Sequence, residues 1–570
     1  MGARNTSPFL QPRVAILART MAYRRLSALA ALGIAALLWL SCAPRVPSRL
    51  APLPPAEREV AVRVGILSNR PSVTVAMADP YRIVDTNGQP LLRKGQPRSV
   101  WEVRVEGGPA ATEFLLVIQT TKDRAAAERL ASELRTKGVE ATVDVLGKTV
   151  QIADRLLRDY RNYRVRINRI FTSRAEAQRW QATVPGVWTS VVERPTQQPK
   201  GRLILTNLHS GDRLASTLPV RIEGSRVAVK DVPVGEGYLY ERRENRLFRG
   251  AMELMVDRAG KVTAVNVVSL EDYVRGVVPY EMGGDFPIEA LKAQAVAART
   301  MALLTMGSRH LDDPFDLCAD VHCQVYGGVT GETEQTNLAV RATAAEVLTY
   351  GGQLCEVAFS SVCGGHTENN DNVWQGMAQP YLRGVLDIEG GASVAGRYDL
   401  SEEQLVRRWI EARPAVFCNV DGSAPPARFG YAVEAFRWEL FVSGAELRRT
   451  VVAATVQDPG EIVEVTPVAR GVSGRVLLLR VRGRNKTVTI SGELAIRKAL
   501  ADPPLRSSCF VVDSTLSSTG QIQFRIRGAG SGHGVGMCQT GAAMMALRHG
   551  KSYRDILAHY FAGAKITTLY

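Results

Sequence analysis

The chain has 570 residues, more than one compact domain usually holds, and its 45% hydrophobic and 22% charged content excludes a disordered or coiled-coil protein. Its 71 Lys and Arg against 56 Asp and Glu leave a net charge of +15, which suits a polyanionic partner. No nucleic-acid-binding signature accompanies that charge, so no nucleic acid is expected, and an anionic polymer of the cell envelope is the more economical partner.

Residues 1–42 read as an upstream extension and an export signal. Met21 opens a basic stretch, residues 26–40 are apolar, and Ser41-Cys42 follows. The apolar run is shorter than the ~18 residues of a spanning helix, and Met21 is the expected start. Leu40-Ser41-Cys42 resembles a bacterial lipobox, although Trp39 departs from its pattern, so lipidation of Cys42 and ordinary signal cleavage both stay open. The expectation is a cell-envelope protein, membrane-anchored through lipid on Cys42, with the Pro-rich residues 43–58 as a tether. Residues 59–110 read as a short β-rich segment, because Val60, Val62, Val64 and Ile66, then Val73 and Val75, alternate, and Asn87-Gly88 marks a turn; whether the strands expected over residues 202–268 continue it in one sheet stays open.

Residues 111–195 read as a β-α-β, β-α-β unit of ferredoxin-like type. Residues 114–119 form a buried strand, residues 123–136 an amphipathic helix, and Val139, Ala141, Val143 and Val145 a second strand. Tyr163, Val165 and Ile167 alternate as a third strand. Ser173 and Glu176 form a capping-box signature for a helix through Trp180, and residues 187–192 close the unit. The pattern resembles the SPOR domain, which implies binding of glycan strands stripped of stem peptides. The connection over residues 147–162 is long for that family. A spacer with no ligand is the alternative. Residues 197–200 look like a linker to a domain spanning 202–570.

In that domain LEDYVRGVVPYEMGGDFPIEALKAQAVAART (residues 270–300) places Glu281 in a short loop between a strand end and an Ala-rich helix. Asp285 is the expected cap of that helix and Pro287 its first turn. Glu271 reads as a strand-end salt-bridge partner. A carboxylate packed against Tyr280 and Met282 is a candidate for desolvation and a raised pKa; spacing alone favours a solvated loop residue. Four further blocks follow: FDLCADVHCQVYGG (315–328), FSSVCGGHTENN (359–370), GVSGRVLLLRVRG (471–483) and GAGSGHGVGMCQTGAAMMA (528–546). No Walker Lys accompanies the last, so nucleotide binding is not expected.

These five blocks, in this order, resemble the SpoIID/LytB family of peptidoglycan-active proteins. The resemblance implies an α+β fold and a lytic transglycosylase in which Glu281 is the general acid and base. It implies that Tyr280, His533, Gly534 and Gln539 line a glycan site. The His in so Gly-rich a loop is otherwise a turn residue. It further implies a zinc held by His310, Cys318 and Cys323, with His322 as rival third ligand, three N/S ligands leaving one position open. Disulfides Cys318–Cys323 and Cys355–Cys363, or free thiols, are the alternative in an exported protein. Cys363 and His366 are a further candidate ligand pair, and Cys418, Cys509 and Cys538 carry no evident role. Among LytB-type relatives a non-catalytic enhancer of a cell-wall amidase is the rival function, with that amidase as partner.

Overall fold

The computed structural model describes residues 60–569 apart from 108–111, 153–154, 184–188, 196–200, 236–240, 312, 375, 392–397, 421–428 and 517–521. The expected signal, Cys42, the tether and the 197–200 linker lie outside those residues. Helices and several sheets are mixed, as an α+β chain requires. No helix among the described residues is long and apolar enough to cross a membrane.

The alternating residues after Val60 do become strands, with Val62, Val64 and Val75 fully buried. They do not form a separate segment. One sheet runs, in spatial order, Leu317–Cys318, Ala61–Arg70, Val262–Ser269, Ala251–Val256, Val220–Glu223, Tyr81–Asp85, Pro90–Gly95. A second runs Arg213–Ser216, Gly201–Asn207, Val100–Gly107, Ser72–Met77, Val227–Val234, Arg242–Phe248. Each interleaves strands from before and after the ferredoxin-like unit, so the expected boundary at residue 202 is not a boundary of either sheet. Gly107 and Gly201 are register partners in adjacent antiparallel strands inside the second sheet, and the unit between them is an insertion in the connection that joins these strands.

The inserted unit has the expected topology. Its sheet runs Ser190–Pro195, Thr112–Thr121, Asn162–Ile167, Ala141–Leu146, every pair antiparallel. Helices Arg124–Thr136 and Arg174–Gln181 pack on it, burying Ala127, Ala131, Tyr163 and Val165 in one cluster and Leu116, Ile167, Phe171 and Ala177 in another. Asp123 caps the first helix through the Ala126 N–H at 3.1 Å. Ser173 caps the second, but the Glu176 carboxylate turns to the Thr172 N–H at 3.0 Å, so half of the capping box is replaced. The long connection contains a hairpin, Thr149–Ile152 with Arg155–Asp159. Its base docks on the rest of the protein: the Tyr160 hydroxyl donates to the Leu304 carbonyl, and Lys148 pairs with Asp316.

Beyond residue 400 a separate core forms around Leu447, Val451, Leu479, Val481, Ile496 and Phe510. The chain then returns. Met537–Cys538 pairs in parallel with Phe359–Ser360, helix Gln539–His549 packs on helix Ile288–Thr305, and Lys565–Thr568 pairs with Glu346–Tyr350.

Candidate active site

Strand Val262–Ser269 hands the chain to helix Leu270–Glu281, which Ser269 caps by accepting the Asp272 N–H at 3.2 Å. Glu281 is thus the last residue of a helix rather than part of a loop. The apolar positions Tyr273, Val274, Val277 and Val278 recur at helical spacing and are buried, which overrides the strand reading. Glu271 is the salt-bridge partner expected, but from the first helical turn. Its two oxygens lie 2.7 Å from Nε and Nη2 of Arg299, a fully buried residue of helix Ile288–Thr305. That bidentate pair fastens the two helices together. Pro287 is the cap position of the second helix, not its first turn, and no side chain, Asp285 included, caps it.

Glu281 is held by two distant segments, one at its carboxylate and one at its backbone. Its Oε1 accepts the Val325 N–H at 3.0 Å, and its backbone carbonyl accepts Nε2 of Gln539 at 3.1 Å. The same Gln539 nitrogen lies 3.4 Å from Oε1 of Gln294, a fully buried residue of helix Ile288–Thr305. Burial pushes the Glu281 carboxyl up from 4.5 to about 7, while the Val325 N–H and the Gln539 side chain pull it the other way. The group therefore holds or releases a proton near neutral pH. The Tyr280 ring lies over Gly327, where a Cβ would sit 1.9 Å from it, and faces the Arg246 guanidinium 4.8 Å from its centroid. Sequence reasoning found Glu281, Tyr280 and Gln539 but missed Gln294 and Val325. A single polar residue in an Ala-rich helix and a backbone donor leave no compositional trace.

His533 accepts the Val535 N–H on Nδ1 at 3.0 Å and packs its ring 4.9 Å from that of Trp374. Burial, with the charges of Arg475 and Arg497, lowers its pKa to about 3, so the ring is neutral and Nε2 carries the proton. Gly534 has φ +77° and a Cβ there would lie 2.1 Å from the Arg475 guanidinium carbon, so its small size admits that cation.

The metal candidates converge more fully than expected. His310, Cys318, His322 and Cys323 place ligand atoms within 4.8 Å of one another, so His322 joins His310 rather than competing with it. Cys323 Sγ lies 3.3 Å from His310 Nε2, and Cys318 Sγ lies 3.7 Å from His322 Nδ1. Tetrahedral zinc with its usual bond lengths has S···N edges of about 3.6 Å, which this donor set fits. Asp313 bonds His310 Nδ1 at 2.9 Å and so turns Nε2 toward the sulfurs. Cys318 and Cys323 are free thiols, as are Cys355 and Cys363, so neither expected disulfide is formed. Cys363 lies instead 3.6 Å from Cys418, sulfur to sulfur, and His366 is withdrawn from it by a 2.7 Å bond between Nδ1 and the Thr367 carbonyl.

A family model described as stage II sporulation protein (SpoIID) matches residues 258–350, and one described as a domain of unknown function (DUF8618) matches residues 368–536. The chain is 31% identical to stage II sporulation protein D of Bacillus amyloliquefaciens over 318 residues, covering 53% of this chain and 76% of that protein. The chain belongs to the SpoIID family. It is also 30% identical to an uncharacterized protein of Brachyspira hyodysenteriae, covering 61% of this chain and 82% of that one. An amidase enhancer of Bacillus subtilis is 29% identical over 52% of this chain, and the match spans 40% of that protein. Within this SpoIID-family chain, the first matched segment holds Glu281, Val325 and all four zinc-compatible ligands. Gln539 lies beyond both segments and reaches Glu281 only through the fold.

A cleft of about 1530 Å3 opens away from Glu281. It lies between the inserted sheet, through Val143, Val145 and Arg164, and the loop that carries His310 and Asp313.

Proposed function

We propose that this protein is an exported peptidoglycan lytic transglycosylase acting on glycan strands without stem peptides, with Glu281 as its single acid and base. The observation that carries this reading is a carboxyl held at about 7 by burial, at a helix end braced by Val325 and Gln539. Glycosidases that use water or an enzyme nucleophile need two carboxylates. On the helix of Glu281 and the next, Glu271 pairs with Arg299, Asp272 with Arg275 and Glu289 with Lys292. One carboxyl suffices if the nucleophile is the substrate's own. Glu281 gives its proton to the glycosidic oxygen as the C1–O bond breaks. The 6-hydroxyl of the same muramyl residue then closes on C1 and returns its proton to the carboxylate, leaving a 1,6-anhydro end and consuming no water. His533 is neutral, accepts the Val535 N–H and donates to the Phe359 backbone, so it shapes the Gly-rich loop rather than transferring a proton.

Zinc on His310, Cys318, His322 and Cys323 is a structural ion in this reading. With all four positions taken by protein it fixes the loop that ends at Val325, two residues after Cys323, and thereby the N–H aimed at Glu281. The inserted unit, in its resemblance to SPOR domains, holds denuded strands, and the Arg164-lined cleft is the surface offered for them. Lipid on Cys42 anchors the chain to the membrane. The likeness to a protein named amidase enhancer supports a second reading, a binder that assists a cell-wall amidase; such a binder needs no protonatable group at Glu281. The two are separated by incubating purified protein, wild type and Glu281→Gln, with denuded glycan strands and analysing products by mass spectrometry. Anhydromuramyl ends from wild type alone support the enzyme, and their absence from both supports the binder.

A further inference from the structure

We infer that Cys363, Asp387, Cys418 and Cys538 form a second metal site, a buried tetrahedral position for one zinc ion. Their ligand atoms lie within 4.8 Å of one another, and all four residues are essentially inaccessible. They come from four segments far apart in the chain, so the convergence is a product of the fold. Cys363 follows strand Phe359–Ser360, Cys538 ends the strand paired with it, and Asp387 and Cys418 lie in loops between.

The spacing favours a metal over a disulfide. Zinc–sulfur bonds of about 2.3 Å in a tetrahedron set S···S edges of about 3.8 Å, against a disulfide bond of about 2.0 Å. The Cys363–Cys418 separation is 3.6 Å. A disulfide would also use only two of three sulfurs and leave a thiol beside a buried carboxylate that makes no ion pair among the described residues. The surroundings suit anionic sulfur. Cys538 Sγ accepts the N–H groups of Cys363 at 3.2 Å and Gly541 at 3.4 Å, and Cys363 Sγ accepts the Gly365 N–H at 3.4 Å. Asp387 is oriented by the Tyr560 hydroxyl at 2.6 Å and the Cys418 N–H at 2.8 Å, the outer contacts a ligating carboxylate needs. Gly541 is required for that arrangement, since a Cβ there would sit 2.2 Å from the Tyr560 oxygen. Three thiolates and one carboxylate select zinc over magnesium or calcium.

The ion has a consequence for the active site whatever reaction Glu281 performs. Cys538 immediately precedes Gln539, whose amide holds the Glu281 carbonyl. A metal on Cys538 therefore pins the start of helix Gln539–His549 against the helix that ends at Glu281.

Full-length protein purified without chelator should carry about two zinc ions per chain by elemental analysis, one for each four-ligand set. C363S/C418S should lose about one, and C318S/C323S should keep about one in a sulfur-rich coordination shell by X-ray absorption. Because either double variant can fail to fold, the unaltered protein supplies the deciding measurement. Anomalous diffraction at the zinc edge should show a peak between Cys363, Asp387, Cys418 and Cys538. No peak there, or a closed Cys363–Cys418 disulfide in that crystal, overturns the assignment.

Discussion

Glu281 carries a thermodynamic penalty that the proposed acid–base role would require. Its folded-state pKa of about 7 lies above the ordinary 4.5, so the folded chain binds more protons than the unfolded one between those pH values. Stability contributed at this residue therefore falls as pH rises from about 4.5 through about 7, by an amount on the order of 3 kcal/mol. Glu281→Gln removes the ionisation and keeps the shape. It should cost at least a hundredfold in cleavage rate, yet raise the melting temperature above wild type at pH 8. The two proteins should melt together below pH 4, and scanning calorimetry at both pH values checks this. A protonated Glu281 as the acid also predicts that kcat/KM falls about tenfold per pH unit above about pH 7, measured on denuded strands. The residue was legible in the sequence because its flanking motif is long. Its partners were not, since Val325 contributes only a backbone N–H and Gln294 sits in an unremarkable Ala-rich helix.

The elements around the site are held by close approaches that tolerate no added volume. Gly276, in the middle of helix Leu270–Glu281, lies where a Cβ would come within 2.4 Å of the Tyr326 ring. Tyr326 cannot yield freely: it is 1% exposed, stacked 5.0 Å from Tyr273 and bonded through its hydroxyl to Asn266 at 2.7 Å. Gly276→Ala should destabilise the protein by about 1–3 kcal/mol in denaturant unfolding, although alanine is the better helix former. The loop after Cys318 gives a prediction that separates positioning from mere stability. If zinc holds this loop as proposed, Cys318→Ser frees the Val325 N–H, a donor that lowers the Glu281 pKa. The variant should lose zinc, turn over more slowly, and show its alkaline limb displaced to higher pH. Slower turnover with an unmoved limb would mean that the loop only supports the fold. At this scale the sequence misplaced one element, reading a loop where the helix continues to Glu281, because Gly276 and Pro279 lower helical propensity and tertiary burial restores it.

Across the whole molecule, the inserted unit leaves and re-enters through paired positions, Gly107 and Gly201, on neighbouring antiparallel strands. Replacing residues 108–200 by an Asn-Gly turn closes that pair as a hairpin and should leave a folded remainder. Turnover at saturating substrate should persist, whereas binding to denuded sacculi should weaken and cleavage at low substrate should slow, as expected when a second binding surface is removed. Sedimentation with sacculi and initial rates across substrate concentration check both halves. Some stability should be lost too, because Lys148 and Tyr160 dock the unit against Asp316 and Leu304.

What the sequence by itself determined is local or motif-borne. The ferredoxin-like order of strands and helices follows from hydrophobic periodicity, the strands after Val60 from alternation, and Glu281 with its zinc-compatible neighbours from residues close together in the chain. Only the tertiary structure decided which strands share a sheet, because alternation specifies which face is buried but not the neighbour it pairs with. Gln539 was named from its motif, but only the tertiary structure put its amide on the Glu281 carbonyl, 258 residues away, and Cys538 beside Cys363, 175 residues away. Cysteines so widely separated have no spacing to read, and they meet Asp387 only where the fold brings four segments to one point.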